Sequence, residues 1–577
     1  MTVAVAEVPV LIVGGGPAGL TASLLLSRHG IQSLLADKRA AESPLPRARG
    51  VHARAMEILR VCGVEPDLRA VELPITPGAE WRARMTGAPL REDVPKAGPG
   101  ISPCEGLSVS QDVFESVLRE HARSYASAQL LAGTRLTSSE VSDDGVDAAL
   151  LSQETGRCSR IRARWLIAAD GARSGIRRHL DIALNGPDDL GRQQMIAFRA
   201  DLTAYTGEHP RGIYFLTDTR AALIWTHRGH RWVLSIPDRC DGTDVPDPAT
   251  TVRDVLGIPG LPVDVLGSNH WTAAAQSAAR YRHGPVFLAG DAAHRFPPAG
   301  ATGVSTAMHD AHNLAWKIAA VHHGHAGPDL LDSYRAEREP VGQRNAGETG
   351  TAWSRLTTTN AVPFAGRSLT QIDMGYQYVS PVITGDGSPG ADPPGADYTP
   401  SAAPGCRAPH QWIRTGRGRR STIDLFDRAF VLLTAGPGTS WRAAAEAASD
   451  MLRLPVDSHV IREPGWPRLY GVTPGGAVLV RPDGHVAWRS RRTPGSADPA
   501  AQTQILAALA AATGTPMTSR ERAAPRSDVP IPARDLRTRS TRDADPAQCH
   551  AHGPNLEERY HSSDRQYARC SAENLPD

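Results

Sequence analysis

Lysine is nearly absent from this chain. Only Lys38, Lys96 and Lys317 occur among 577 residues, which leaves few side chains for Schiff-base chemistry. Cysteine is sparse and scattered, at 62, 104, 158, 240, 406, 549 and 570, with no CxxC pair and no dense framework. That argues against a disulfide-stapled scaffold and for a reducing compartment, so a cytoplasmic location is expected. Charge excess is missing too. The 63 basic and 61 acidic residues leave a formal charge of +2, which gives no general electrostatic reason to expect nucleic acid. The apolar N-terminal stretch, residues 8–26, is broken by "GGGPAG" and has no basic segment before it. A membrane span or secretory leader is therefore not expected.

Metal-ligand spacing is also lacking. Cys549, His550, His552, His561 and Cys570 match no zinc pattern. His294, His309 and His312 lack a clustered acid in the sequence, so supporting or surface roles are expected, and no metal.

The bulk of the chain is ordinary for a soluble globular protein, at 41% hydrophobic and 21% charged. Its length exceeds what one core supports, so two to four domains are expected. "VPVLIVGGGPAGLTASLLLSRHG" reads as strand, glycine turn and helix. The run ending at Val13 is continuously apolar, as a buried parallel strand should be. Gly14, Gly16 and Gly19 fit G-x-G-x-x-G, with Pro17 and Ala18 opening the helix. Gly14 permits the turn, Gly16 admits a pyrophosphate, and Gly19 lets helix and strand pack closely. "QSLLAD" forms a second strand ending at Asp37, an acid near the spacing used for ribose hydroxyls. Dinucleotide binding follows from this combination.

Two further motifs sit at predicted strand ends. "RWLIAADGARSGIRRHL" carries Asp170-Gly171, and "LAGDAAHRFPPAGATGVSTAMHDAHNLAWKIA" carries Gly290-Asp291 ahead of a Pro/Gly loop and a helix. The carboxyl ends of parallel strands are where a doubly wound sheet binds ligands.

With these motifs in order, the chain resembles the FAD-dependent aromatic hydroxylases of the para-hydroxybenzoate hydroxylase type. The likeness rests on "GGGPAG" (14–19), "DGARSGIR" (170–177), "GDAAHRFPP" (290–298) and "YRAEREP" (334–340), and it covers about residues 5 to 400. The resemblance implies FAD as cofactor. It implies that Asp291 hydrogen-bonds the ribityl chain and that Pro298-Ala299-Gly300 lies beside the isoalloxazine ring. Backbone N–H groups of Gly300, Ala301, Gly303 and Val304, with the helix N-terminus behind them, would face the edge where reduced flavin carries negative charge. Gln111 matches a position near the FAD phosphates. Arg47 and Arg49, in "PRARG", match a conformationally important loop. Lys38, Leu136, Asp170 and Gly290 complete the expected cofactor-binding set. No second Gly-rich strand-turn-helix is found, so NADPH or NADH is expected to act as a transient reductant.

Residues 186–275 read as short strands with polar turns. Tyr214, Phe215, Trp225 and Trp232 are candidates for an aromatic substrate pocket, although strand aromatics also serve as core or cross-strand pairs. A Pro/Gly-rich linker spans 381–405. Beyond it, "STIDLF", "AFVLLTAG", "SHVIRE" and "GAVLVRPDGHVAWRS" read as strands. "LYGVTPGGAVLVRPDGHVAWR" resembles the thioredoxin-like C-terminal domain of phenol and polyketide hydroxylases. Its only cysteine is Cys406, which rules out dithiol redox work.

The expected architecture is α/β: a Rossmann-like FAD-binding domain, an inserted β-sheet substrate domain and a C-terminal thioredoxin-like domain. The expected boundaries are 1–77, 105–185 and 276–380 for the FAD domain, the last with long helices. A substrate-domain excursion (78–104) and a β-sheet substrate domain (186–275) interrupt it. The thioredoxin-like domain covers 406–518 and a polar tail 519–577. By resemblance to tetracenomycin- and rubromycin-type oxygenases, the substrate is a polycyclic aromatic polyketide. The expected activity is NAD(P)H- and O2-dependent ring hydroxylation through a flavin C4a-(hydro)peroxide. Baeyer–Villiger insertion or other oxidative rearrangement, single-ring phenol hydroxylation, and FAD dehydrogenation without oxygen transfer are the alternatives. A monomer or homodimer is expected, and no catalytic acid or base is assignable from the sequence.

Overall fold

A computed structural model of the chain describes residues 5–41, 49–93, 100–227, 229–238, 247–359, 369–389, 397–416, 418–436, 439–492 and 499–515. Arg47 and the histidines and cysteines of the tail lie outside the described residues.

The apolar run of the first strand makes it central. Val5–Val13 pairs in parallel with Cys158–Ala168 on one side and Ser33–Ala36 on the other. Val286–Leu288 and Ala128–Leu131 extend the parallel sheet outward. Val10, Leu11 and Ile12 have no exposed surface, as expected where both faces are covered. Helix Pro17–Arg28 returns across one face and packs on helix Thr302–His322. Gly290 lies where they meet. At φ +60°, its added Cβ would stand 3.0 Å from the Ala18 Cβ and 3.2 Å from the Ala307 Cβ.

A second sheet has seven strands in the order Asp264–Thr272, Arg192–Arg199, Arg231–Pro237, Ala221–His227, Arg211–Leu216, Thr76–Arg82 and Pro89–Asp93. Its polar/apolar alternation reflects two different faces. One face packs under helix Pro248–Leu256.

The third sheet runs in the order Val456–Ile461, Phe430–Ala435, Ala477–Val480, Val486–Ser490. The first two strands are parallel and the rest antiparallel. "STIDLF" is not a strand: Gly418–Ser421 pairs in a hairpin, and Ile423–Leu425 is a short 3-10 turn. Its local polar groups explain the difference, since Ser421 N–H bonds the Asp424 carboxylate and Ile423 N–H bonds Ser421 Oγ. Among the described residues, no helix is long and apolar enough to cross a membrane.

Candidate functional site

The crevice begins at the first glycine turn. Gly14 has φ +112°, and a Cβ there would stand 2.1 Å from the Ala169 carbonyl oxygen; one on Gly19 would stand 1.9 Å from the Gly14 carbonyl oxygen. Both positions are therefore closed by the fold itself. Gly16 differs. Its added Cβ would meet nothing nearer than Glu115 Oε1 at 3.9 Å, so the protein does not require glycine there. Helix Pro17–Arg28 starts at Gly16 with no side-chain cap and no acid in its first turn. Its N–H groups and positive dipole end suit a phosphate.

Asp37 follows the second strand and is 6% exposed. Arg39 donates to its carboxylate from the backbone N–H and from Nη2, each at 3.1 Å. Arg39 also reaches Glu115 Oε2 at 3.5 Å, and Gln111 Nε2 donates to Glu115 Oε1 at 2.6 Å. Burial raises the Glu115 carboxyl above its ordinary value, against the pull of Gln111 and Arg39. Gln111, Glu115, Arg39 and Asp37 thus form one connected group beside the glycine turn. Arg39 and Glu115 were not anticipated; a basic residue two places beyond the acid was the available signal. Lys38 is exposed. Leu136 is half-buried on the strand whose Thr134 N–H donates to the Asp37 carbonyl.

Asp170 closes the second motif. Its Oδ2 accepts the Gly175 N–H at 2.8 Å, while its buried Oδ1 has no partner. Arg177 donates to the Ala292 carbonyl at 3.2 Å, which joins the second motif to the third. In that third motif Asp291, Pro298 and Ala301 are exposed and Gly300, Gly303 and Val304 half-buried. Gly300 and Ala301 take φ +79° and +53° to turn the chain into helix Thr302–His322. That helix also lacks a side-chain cap and an early acid, and Thr302 Oγ1 is buried without a partner. Two uncapped helix ends, an open Gly16 and orphaned Asp170 and Thr302 oxygens fit an extended anionic cofactor such as FAD.

The loop is held from behind. Asp310 accepts the Gly290 N–H at 3.0 Å, His294 Nε2 lies 2.8 Å from the same oxygen, and Arg338 Nε donates to its other oxygen at 2.8 Å. Burial opposes the Asp310 charge, but Arg338 and His294 outweigh it and keep the carboxyl below its ordinary range. His294 and His309 are buried rather than surface residues. His312 is half-buried, and burial pushes its imidazole down to about 3. Among the described residues, no group of three or more His, Cys, Asp or Glu could hold a metal.

The seven-stranded sheet corrects the pocket expectation. Tyr214, Trp225 and Trp232 lie in the core beneath helix Pro248–Leu256, with Val252 and Leu256. Trp232 Nε1 donates to the Ala200 carbonyl at 3.0 Å, and Tyr214 Oη accepts the Arg211 N–H at 2.8 Å. Period-two alternation puts them on the covered face. Phe215 points the other way, 4.8 Å from the Trp81 ring. Directly paired residues share a face, and one row there runs Asn269, Met195, Ser235, Ala222, Phe215, Trp81. This face is the one turned away from helix Pro248–Leu256. Trp271, two residues from Asn269, packs on the Trp353 ring at 5.9 Å and belongs to the cluster that includes Ala299 of the flavin-type loop. Toward the start of strand Arg231–Pro237, on the same face as Ser235, Arg231 donates to Asp112 at 2.6 Å. Arg49 meets the sheet nearby: its guanidinium would be 2.6 Å from a Cβ on Gly212, and its Nε has no partner. Burial alone lowers that guanidinium to about 10.

A second charged region lies where the third sheet meets the long helices. Glu337 accepts from Arg481 Nη1 at 2.6 Å, Arg481 Nη2 at 2.9 Å and Lys317 Nζ at 2.8 Å. Burial would raise its carboxyl, but Arg481 and Lys317 hold it down at about 2. Glu57 is chelated by Arg407 and bonded by Arg54 at 3.0 Å, and Arg54 donates to the Asp483 carbonyl at 2.6 Å.

Comparison with known proteins agrees with this geometry. Residues 7–349 match the FAD binding domain family, and residues 401–516 match the aromatic-ring hydroxylase C-terminal family. The tetracenomycin A2 monooxygenase-dioxygenase of Streptomyces glaucescens is 36% identical over 556 residues, covering 88% of this chain and 98% of its own. Aklavinone 12-hydroxylase DnrF of Streptomyces peucetius is 36% identical over 459 residues, covering 75% of this chain and 93% of its own. Among solved structures, the flavin-dependent monooxygenase PieE with FAD and substrate superposes with a TM-score of 0.80 at 30% identity, covering 88% of this chain and 99% of that one. A ternary complex of aklavinone-11 hydroxylase with FAD and aklavinone gives 0.79 at 31%, with the same coverage. The chain therefore belongs to the FAD-binding aromatic-ring hydroxylases and is a flavoprotein monooxygenase.

Proposed function

We propose that this enzyme hydroxylates a polycyclic aromatic polyketide, with NADPH or NADH as the source of hydride and O2 as the source of the inserted oxygen. The observation that carries this reading is the full-length likeness to tetracenomycin and aklavinone oxygenases. It is supported by a sheet face of small, apolar and polar side chains whose Trp271 joins the cluster around Ala299 of the flavin-type loop.

When bound, FAD supplies the redox chemistry with O2 that no side chain can provide. Gly14, Gly16, Pro17, Ala18 and Gly19 would hold its pyrophosphate on the first helix end. Asp37 would bind the ribose, with Lys38, Arg47, Gln111 and Leu136 nearby. Asp170, Gly290 and Asp291 would hold the ribityl region. Pro298, Gly300, Ala301, Gly303 and Val304 would bound the ring, and the positive end of helix Thr302–His322 would stabilise negative charge there. The Phe215 face would cover the substrate and exclude water.

The domain organisation is read as a discontinuous FAD domain, an inserted substrate sheet and a thioredoxin-like C-terminal domain. Support for the last comes from its β-α-β then β-β-α order, with the first and third strands at the centre. Cys406 is its lone expected cysteine and is buried, so its role is structural. The enzyme is read as cytoplasmic and as a monomer or homodimer.

The test is product mass after reaction with NADPH, isotopically heavy O2 and a panel of polycyclic aromatic polyketides. A product carrying one heavy oxygen on a ring carbon is expected. Label beside a carbonyl would replace hydroxylation by Baeyer–Villiger insertion. An unlabelled product lighter by two hydrogens would make the enzyme a dehydrogenase.

A further inference from the structure

Asn269 is a polar side chain on the Phe215 row, and its buried oxygen has no bonding partner. It sits on strand Asp264–Thr272, opposite Met195, in the row that continues through Ser235 and Ala222 to Phe215. Its Oδ1 is buried and without a hydrogen-bond partner. The neighbouring polar residues on the same strand are served: Ser268 Oγ accepts from Gln194 at 3.4 Å, and His270 Nδ1 lies 3.0 Å from Asp238. Both of those point to the opposite face. Asn269 shares its face with Trp271, whose ring packs on Trp353 in the cluster that also holds Ala299 of the flavin-type loop. Two residues of strand separate them, about 7 Å. An amide acceptor sequestered from water and left unpaired is a standing cost, and its position beside the loop supplies the reason for keeping it.

We propose that Asn269 is a specificity-determining residue: its Oδ1 accepts a hydrogen bond from a hydroxyl on the polycyclic substrate. The inference deepens the proposed function and rests on it. The hydroxyl is one the substrate already bears, away from the carbon that is oxidised, and the bond fixes which ring lies over the loop. No proton is transferred. A site built to bond a hydroxyl discriminates strongly against the analogue that lacks it, because the acceptor is then left unpaired.

The experiment measures binding to the FAD-loaded enzyme of the two monohydroxyanthraquinones and of unsubstituted anthraquinone. Wild type, Asn269→Leu and Asn269→Ala are compared, and melting temperature and FAD affinity are recorded for each. Wild type is expected to prefer at least one hydroxylated isomer over anthraquinone by about 30-fold, which is about 2 kcal/mol. In Asn269→Leu that preference collapses to within about threefold, while anthraquinone binds as well as or better than before. The same variant is expected to melt no lower than wild type, since an orphaned acceptor has been replaced by an apolar group of similar size. Asn269→Ala repeats the loss of preference without the added bulk. An unchanged preference in both variants overturns the assignment, as does a lowered melting temperature with preference intact, which would make Asn269 a structural residue. If wild type binds none of the three probes, the polycyclic reading of the substrate falls, and this inference falls with it.

Discussion

Two buried polar regions of this molecule follow opposite rules. Between the long helices and the third sheet, carboxylates and guanidiniums are fully matched. Glu337 receives three charge-assisted bonds, and Glu57 is shared by Arg407 and Arg54. In the crevice, by contrast, Asp170 Oδ1, Thr302 Oγ1, Arg49 Nε and Asn269 Oδ1 are buried with no partner. Burying a charge or acceptor without a partner is costly. A matched region can be explained by folding alone. An unmatched one leaves polar atoms open to a ligand.

The largest expected effect breaks the matched side. Glu337→Ala strands Arg481 and Lys317 in a buried site and should cost about 3–5 kcal/mol of stability, read by denaturant unfolding. A loss below about 1 kcal/mol would mean that the network is not holding these elements together. The same carboxylate predicts a pH dependence. Its folded value, about 2, lies below the ordinary carboxylate value of 4.5. Its contribution is therefore complete above pH 4.5 and is lost as pH falls toward 2. Glu337→Gln should flatten that acid limb.

The next effect falls on the cofactor loop and should leave the fold intact. Asp291→Ala is expected to weaken FAD retention by about 1.5–3 kcal/mol, because a hydrogen bond to a charged group is lost. Apoprotein melting should hardly move, since Asp291 is exposed. Retention of FAD with wild-type affinity would remove Asp291 from the cofactor site.

The smallest effect sharpens the contrast at one turn. Gly16→Ala places its methyl in open space, so apoprotein stability should change by less than about 1 kcal/mol. FAD affinity should nevertheless fall, because the methyl stands where a pyrophosphate would approach the backbone. A Gly16→Ala enzyme with undiminished FAD affinity would show that no phosphate passes there. Gly19→Ala is the control: its methyl would collide with the Gly14 carbonyl, so both stability and FAD binding should fall.

Some of this was legible in the chain. Gly14 and Gly19 declare a tight strand-turn-helix because their requirement is local and steric. The continuous apolar run before them declares a strand covered on both sides. "GDAAHRFPPAG", ending at Gly300, declares a loop feeding a helix. The substrate sheet was less legible. Its strands were recognisable, but not which face looked inward. Tyr214 and Phe215 are adjacent aromatics, yet one is core and the other lies on the opposite face against Trp81. Nor did "STIDLF" show that Ser421 and Asp424 would bond the backbone locally rather than extend a strand.

The sequence by itself determined the local chemistry: the glycine turn, the acid after the second strand, the loop before the long helix, and the family these identify. Each depends on residues close together along the chain. Only the tertiary structure decided which polar groups are paired. Glu57 meets Arg407, and Glu337 meets Arg481, across long stretches of intervening chain. Asn269 Oδ1 and Arg49 Nε are left unmatched by the same packing. Pairing depends on where distant elements meet and on water being excluded between them, and local pattern carries neither.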